Sequence, residues 1–193
     1  PGPRRFGSVN RAAVMAGGDV KVTGGDLSHL EAIAIKLRAA GATLKVEEGG
    51  GVRVKADPAR LMSVDVKTLP YPGFATDMQA QFMGVMCLAK GASVVSETVF
   101  ENRFQHVPEL HRMGAAIRIE GSSAIVHGGN PLSGAHVMAT DLRASASLVL
   151  AGLAAEGETH VHRVYHLDRG YDRIEEKLGK LGANIRREKD DIL

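Results

Sequence analysis

Gly91-Ala92-Ser93-Val94-Val95, then a helical stretch to Met113, then Gly114-Ala115-Ala116-Ile117-Arg118-Ile119: this stretch decides the fold, because the chain repeats it twice more. Gly18-Asp19-Val20-Lys21-Val22 leads through a helical stretch ending at Leu37 to Gly41-Ala42-Thr43-Leu44-Lys45-Val46. Gly157-Glu158-Thr159-His160-Val161 leads through another, to Leu181, and on to Gly182-Ala183-Asn184-Ile185. The Gly-Ala pair recurs at 41, 114 and 182, in steps of 73 and 68 residues. A period this long is a whole supersecondary unit, which cannot bury its apolar face alone and must pack on its copies.

Two kinds of helix recur in each unit. One precedes the repeat glycine and is apolar on most sides: Asp77 to Ala89, Asp141 to Ala155, and less cleanly Phe6 to Ala16. A helix apolar all round belongs in the centre of a domain. The other is amphipathic. Leu27, Leu30, Ala34 and Leu37 share a face of Asp26 to Ala40, with Asp26 a candidate N-cap. Val107, Leu110 and Met113 form a copy that starts at Pro108, and Ile174, Leu178 and Leu181 form the third. Each ends at Gly41, Gly114 or Gly182, where a left-handed C-terminal cap favours glycine.

Short alternating runs lie between the helices: Val20/Val22, Leu44/Val46, Val52/Val54, Val64/Val66, Val94/Val95, Ile117/Ile119, Ile125/Val126 and Val161/Val164. They read as half-exposed strands. The expected fold is α/β, with four-stranded sheets outside, apolar helices at the centre and pseudo-threefold symmetry. Units of about 1–63, 64–132 and 133–193 divide a single domain. The third copy has only Lys189 to Leu193 left after Ile185 and Arg186 to Glu188. A closed domain would then need a strand or two from upstream of Pro1, and the opening Pro1-Gly2-Pro3 reads as the edge of a truncated or processed piece.

The 193 residues are 44% hydrophobic but only 4% aromatic, so Val, Leu, Ile, Ala and Met must build the core. A formal net charge of +2 with no basic stripe argues against a nucleic-acid partner. No apolar run approaches the roughly 20 residues that span a bilayer, so a membrane partner is not expected. The single cysteine, Cys87, suits a reducing cytoplasm, and its apolar neighbours mark it as an inert core residue. The eight histidines show no metal-ligand spacing, so neither a metal nor another cofactor is expected.

Three polar segments interrupt the pattern. Tyr71 to Phe82 delivers Asp77 to a helix start, either as an N-cap or as a carboxylate base at the mouth of a cleft. Glu97 to His106 replaces the Gly24-Gly25 turn of the first unit, either as a binding loop or as a solvated loop pinned by Phe100 and Phe104. Ala139 to Ser145 puts Arg143 in the first turn of a helix, where a cation opposes the helix dipole. An anionic ligand would offset that, and so would an ion pair with Asp141 or another acid. Arg103 and Arg169 occupy matching places in the other units, so three guanidinium groups could face one region.

Read as strings, TDMQAQF at Thr76 to Phe82, ETVFENRF at Glu97 to Phe104, HVPEL at His106 to Leu110 and ATDLRASASLVLAG at Ala139 to Gly152 are distinctive. With Asp168-Arg169-Gly170-Tyr171, they resemble the C-terminal half of the UDP-N-acetylglucosamine enolpyruvyl transferases, from about Gly17 to Glu188. The resemblance implies an inverse α/β barrel of βαβαββ units, one of two similar domains closing over a cleft. It implies transfer of the enolpyruvyl group of phosphoenolpyruvate to the 3-hydroxyl of UDP-N-acetylglucosamine, the first committed step of bacterial peptidoglycan synthesis.

By the same resemblance Asp77 is a candidate base, Thr76 and Val99 contact the nucleotide sugar, and Arg103, Arg143 and Arg169 surround phosphoenolpyruvate, with Asp77 and Arg169 catalytic. The family's reactive cysteine lies in the other, N-terminal domain, and Cys87 does not match it. Pro1 to Asn10 departs from the family's acidic segment. The alternative is a non-catalytic nucleotide-sugar-binding or structural module of the same fold. The shikimate-pathway transferase and the RNA-terminal phosphate cyclases fit the loop strings less well.

Overall fold

A computed structural model describes residues 13–23, 27–48 and 50–188, and its middle third shows the repeating unit whole. That unit runs β4 (Val66–Lys67), α3 (Gln79–Leu88), β5 (Gly91–Ser96), α4 (Val107–Arg112), β6 (Ala116–Glu120) and β7 (Ser123–Gly128). Before it come α1 (helical residues 13–16), β1 (Gly18–Val22), α2 (Glu31–Ala39), β2 (Thr43–Val46) and β3 (Val52–Ala56). After it come β8 (His136–Met138), α5 (Leu142–Ala154), β9 (His160–His162), α6 (Tyr165–Asp168) and α7 (Ile174–Gly179).

The sheets repeat with the chain. In the middle unit β4 pairs parallel with β5, β5 antiparallel with β7, and β7 antiparallel with β6. The first unit repeats the antiparallel part as β1-β3-β2, and the third repeats the parallel part as β8-β9. Four-stranded sheets were expected in every unit, and among the described residues only the middle one has four. In the first unit the place that corresponds to β4, ahead of α1, lies outside the described residues. Residues 184–188 of the third unit form no strand.

Three identical C-terminal caps confirm the repeat at the level of single hydrogen bonds. The N–H groups of Ala42, Ala115 and Ala183 donate to the carbonyls of Leu37, Leu110 and Leu178 at 3.0, 3.0 and 3.1 Å. Those of Gly41, Gly114 and Gly182 donate three residues back at 2.9 Å each. This is the Schellman pattern, and the glycines take φ of 104°, 86° and 95°, a region costly for residues with a Cβ. The leucine at the matching position is buried in all three copies.

The apolar helices lie at the centre, as their composition predicts. Nine of the ten residues of α3 and the whole run Ala144 to Ala151 of α5 are buried. Phe82, Met83, Met86 and Leu148 are fully buried, and each such side chain contributes about 1.5–3 kcal/mol of transfer free energy. Gly84 marks where α1, α3 and α5 meet: a Cβ there would sit 3.2 Å from Met15 Cε and 3.9 Å from the Ser147 carbonyl oxygen. The strands put their alternate residues, such as Val52, Val54, Val95, Val126 and Val137, against this trio.

Several expected boundaries move. The amphipathic helix of the first unit is split into a 3-10 turn over Leu27–Leu30 and α2. Asp26, the Gly24-Gly25 turn, the start of the Phe6 to Ala16 helix and the tail from Lys189 fall outside the described residues. In the third unit the helix stops at Gly179, leaving Leu181 exposed. Val164 belongs to no strand: it sits before α6 with helical backbone angles. Val64 also lies outside β4.

Candidate active site

The loop before α3 is a tight return. Leu69 N–H donates to the Phe74 carbonyl at 3.0 Å, and a Cβ on Gly73 would lie 2.4 Å from Leu69 Cβ. It sets down a 3-10 turn, Thr76–Met78, whose flanking residues Ala75 and Met78 make no side-chain cap. Asp77 is therefore not the N-cap that its position suggests. Its Oδ1 instead accepts from Arg143 Nε at 2.7 Å and from Arg103 Nη2 at 3.1 Å. The three side chains retain between 18% and 30% of their exposure, so the cluster is partly open to solvent.

Arg143 pairs with an acid from another unit. Asp141, the nearest acid in sequence, is taken up as the N-cap of α5, accepting from Arg143 N–H at 2.7 Å and Ala144 N–H at 3.0 Å. The Arg143 guanidinium reaches across to Asp77, an ion pair between two repeat units. The Asp77 hydrogen bond holds its pKa above the ordinary arginine value against the opposing effect of burial, and the charges of Asp77 and Asp141 assist. Arg103 also donates from Nη1 to Thr76 Oγ1 at 2.7 Å and lies 4.7 Å over the Phe100 ring. Phe104 is the only one of the loop's two phenylalanines that is buried; Phe100 stays exposed under the guanidinium.

Val99 joins the cluster through Glu97. Glu97 is 4% exposed, and its carboxylate accepts from Thr68 Oγ1, Val99 N–H, Phe100 N–H and Thr76 Oγ1, all within 3.1 Å. Burial pushes its pKa up, but the hydrogen bonds from Thr68, Val99, Thr76 and Phe100 outweigh that and leave it below the ordinary glutamate value. His106, fully buried beside Met83, is pushed down to about 4 by burial, with Asp141 opposing and Arg103 assisting. Cys87 is buried in α3 and pushed up to about 12 by desolvation, as an inert core thiol should be.

Arg169 stands apart from the clamp. It is exposed after α6 and, among the described residues, makes no hydrogen bond or ion pair to Asp77. Its segment nevertheless lies against the start of α5, where a Cβ on Gly170 would lie 2.9 Å from Leu142, and Tyr171 is close enough to influence Arg143. Neither Glu97 nor His106 was singled out from the sequence. A glutamate directly after a strand, bracketed by Thr68 and Thr76 in other segments, leaves no periodic signal; the partners are 21 and 29 residues away. Among the described residues no group of three or more His, Cys, Asp or Glu is arranged to hold a metal ion, and no helix is long and apolar enough to cross a membrane.

The sequence model of the EPSP synthase (3-phosphoshikimate 1-carboxyvinyltransferase) family matches residues 9–178. The chain belongs to the EPSP synthase family. Within this family, relatives named UDP-N-acetylglucosamine 1-carboxyvinyltransferase are closely similar. The one from Trichlorobacter lovleyi is 61% identical over 94% of this chain, and that from Sorangium cellulosum 62% identical over 94%. Each alignment covers 43% of the relative, so the chain spans less than half the length of these family members.

The enolpyruvyl transferase NikO from Streptomyces tendae superposes with a TM-score of 0.86 at 30% identity, over 96% of this chain and 44% of that one. An EPSP synthase from Acinetobacter baumannii shares the fold at a TM-score of 0.66 and 21% identity, over 86% of this chain and 42% of its own. The α/β architecture is thus common to this chain and both solved structures. The sequence likeness is far greater to the nucleotide-sugar transferases than to that solved EPSP synthase.

Proposed function

We propose that this chain is the C-terminal part of a two-domain enzyme that moves the enolpyruvyl group of phosphoenolpyruvate to the 3-hydroxyl of UDP-N-acetylglucosamine, in the cytoplasmic phase of peptidoglycan synthesis. The observation that carries the reading is the clamp: one carboxylate, Asp77, under two guanidinium groups from different repeat units. Residues Thr76, Asp77, Val99, Arg103, Arg143 and Arg169 supply this half of the site. The three units form one domain, and the other domain completes the cleft.

The chemistry requires a hydroxyl oxygen to add to C2 of phosphoenolpyruvate while its proton leaves and C3 gains one. Phosphate then departs from C2 as C3 loses a proton, which restores the double bond. Asp77 is the acceptor for the hydroxyl proton. The phosphate and carboxylate of phosphoenolpyruvate compete for Arg103 and Arg143, drawing the guanidinium groups away and freeing Asp77 to act on the sugar. Arg169, exposed beside α5, joins them around the same anion. Once drawn onto the substrate, guanidinium groups aimed at developing charge lower the barrier of the chemical step, and holding both substrates in one closed cleft supplies the entropic share. The proton for C3 comes from the other domain.

The test is phosphate release from phosphoenolpyruvate and UDP-N-acetylglucosamine. The chain alone should release none; supplied with the N-terminal part of a close relative it should turn over, and Asp77→Asn in that assembly should abolish turnover. Turnover that survives Asp77→Asn would remove the residue from the mechanism.

A further inference from the structure

Glu97 has no part in the chemistry above, yet its hydrogen bonds tie together the two loops that carry Thr76 and Val99. Its Oε1 accepts from Thr68 Oγ1 at 2.8 Å, Val99 N–H at 2.9 Å and Phe100 N–H at 3.1 Å, and its Oε2 accepts from Thr76 Oγ1 at 2.8 Å. Thr68, at the end of β4, is itself fixed: its Oγ1 accepts from Thr98 N–H at 2.9 Å and its carbonyl from Thr98 Oγ1 at 2.5 Å. The carboxylate is therefore the shared anchor of the segment that follows β4 and the segment that follows β5.

The direction of these bonds constrains the ligand. An ionised carboxylate only accepts and a guanidinium only donates. The single Thr76 hydroxyl proton is thus committed to Glu97, and one of its lone pairs is committed to Arg103 Nη1 at 2.7 Å. What remains for a ligand is a lone pair. Thr76 is half-buried beside Asp77, so this lone pair belongs to the same opening.

We propose that Glu97 is a positioning residue for the nucleotide-sugar side of the site: it holds the Val99–Phe100 turn against Thr68 and fixes Thr76 as a pure acceptor, so the ligand must present a hydroxyl or amide N–H to it. The ligand part of this rests on the function proposed above; the hold on the loop does not.

Two variants separate the parts. Glu97→Ala removes all four acceptor contacts, and amide exchange at Val99 and Phe100 in the 193-residue chain should rise roughly tenfold to a hundredfold, the range for losing a hydrogen bond to a charged acceptor. Glu97→Gln keeps the shape and one acceptor oxygen, so exchange should rise less than tenfold. Its amide now donates to Thr76, however, which turns the hydroxyl proton outward and should weaken UDP-N-acetylglucosamine binding about tenfold or more. Glu120→Gln, at an exposed ion pair with Arg118, should leave exchange at both amides unchanged.

Exchange within threefold of the parent in Glu97→Ala overturns the positioning role whatever the ligand. Nucleotide-sugar affinity within twofold of the parent in Glu97→Gln overturns the acceptor assignment. A parent chain that binds no UDP-N-acetylglucosamine, alone or with the N-terminal part of a relative, overturns the ligand while the hold on the loop stands on the exchange data.

Discussion

Replacing Asp77 with Asn removes one negative charge from beneath two guanidinium groups and changes almost nothing else in shape. Each bond to Asp77 is charge-assisted and only partly screened, since the side chains keep 18–30% of their exposure. An exposed pair is worth about 0.2–1 kcal/mol and a buried hydrogen bond to a charge about 1.5–3 kcal/mol. Two intermediate bonds, with part of the geometry kept by the amide oxygen, give a loss of about 2–3 kcal/mol. Two like charges then face each other with only the more distant charge of Asp141 to offset them. In a domain of this size 1 kcal/mol moves Tm by about 2–4 °C, so the variant should melt about 4–12 °C lower.

Phosphate should restore much of that difference. If the guanidinium pair binds it with a Kd of about 1 mM, 50 mM phosphate stabilises by about 2 kcal/mol. In the parent chain Asp77 competes for the same groups, and phosphate should help less. Phosphate also favours compact states generally, so the decisive quantity is the difference in gain between variant and parent, measured by thermal melts at matched ionic strength. A variant as stable as the parent, or one that gains no more from phosphate than the parent does, would refute the clamp as an anion site.

Other expectations follow from single residues. His106 is buried neutral, with its pKa lowered to about 4 from an ordinary value of 6.5. The unfolded chain therefore binds its proton first, and stability should fall from about pH 6.5 down to pH 4, by up to about 3 kcal/mol. Urea titrations across that range should show the slope in the parent and a flatter profile in His106→Gln. Gly128→Ala should be severe, lowering stability by about 3 kcal/mol or more in denaturant melts, because its Cβ would sit 2.1 and 2.3 Å from the backbone oxygens of Met86 and Ala89. Gly84→Ala crowds the flexible end of Met15, touches the Ser147 carbonyl at ordinary van der Waals distance and gains helix propensity, so it should stay within about 1 kcal/mol of the parent in the same melts. Cys87, with its thiol pushed up to about 12, should react with a thiol reagent only at the rate of unfolding, as followed by the absorbance of the released chromophore.

The repeat and its helices were legible because they rest on local rules. A Gly-Ala pair after an amphipathic leucine writes a Schellman cap, and all three caps form. Helices apolar on every side have only the centre to go to. The candidate site was half legible. Loop position singled out Asp77 and Arg143 and allowed Arg143 an acid partner, but it could not say which: Asp141 caps α5, and Asp77 pairs with arginines 26 and 66 residues away. Long-range pairing of that kind has no period to detect, and Glu97 was missed for the same reason. The third unit misled because its helical pattern runs on to Leu181 while the chain there turns at Gly179.

That Arg103 and Arg143 hang from different copies of the repeat has a mechanical consequence. The guanidinium pair stands across a seam, so it comes into being only when α3 and α5 are seated on one another, and it dissolves when either unit slides. An anion held there staples the seam shut. Occupancy of the hollow and cohesion of the barrel are thus a single equilibrium seen from two ends, and a substitution deep in the helix trio can silence the opening without touching any group that lines it.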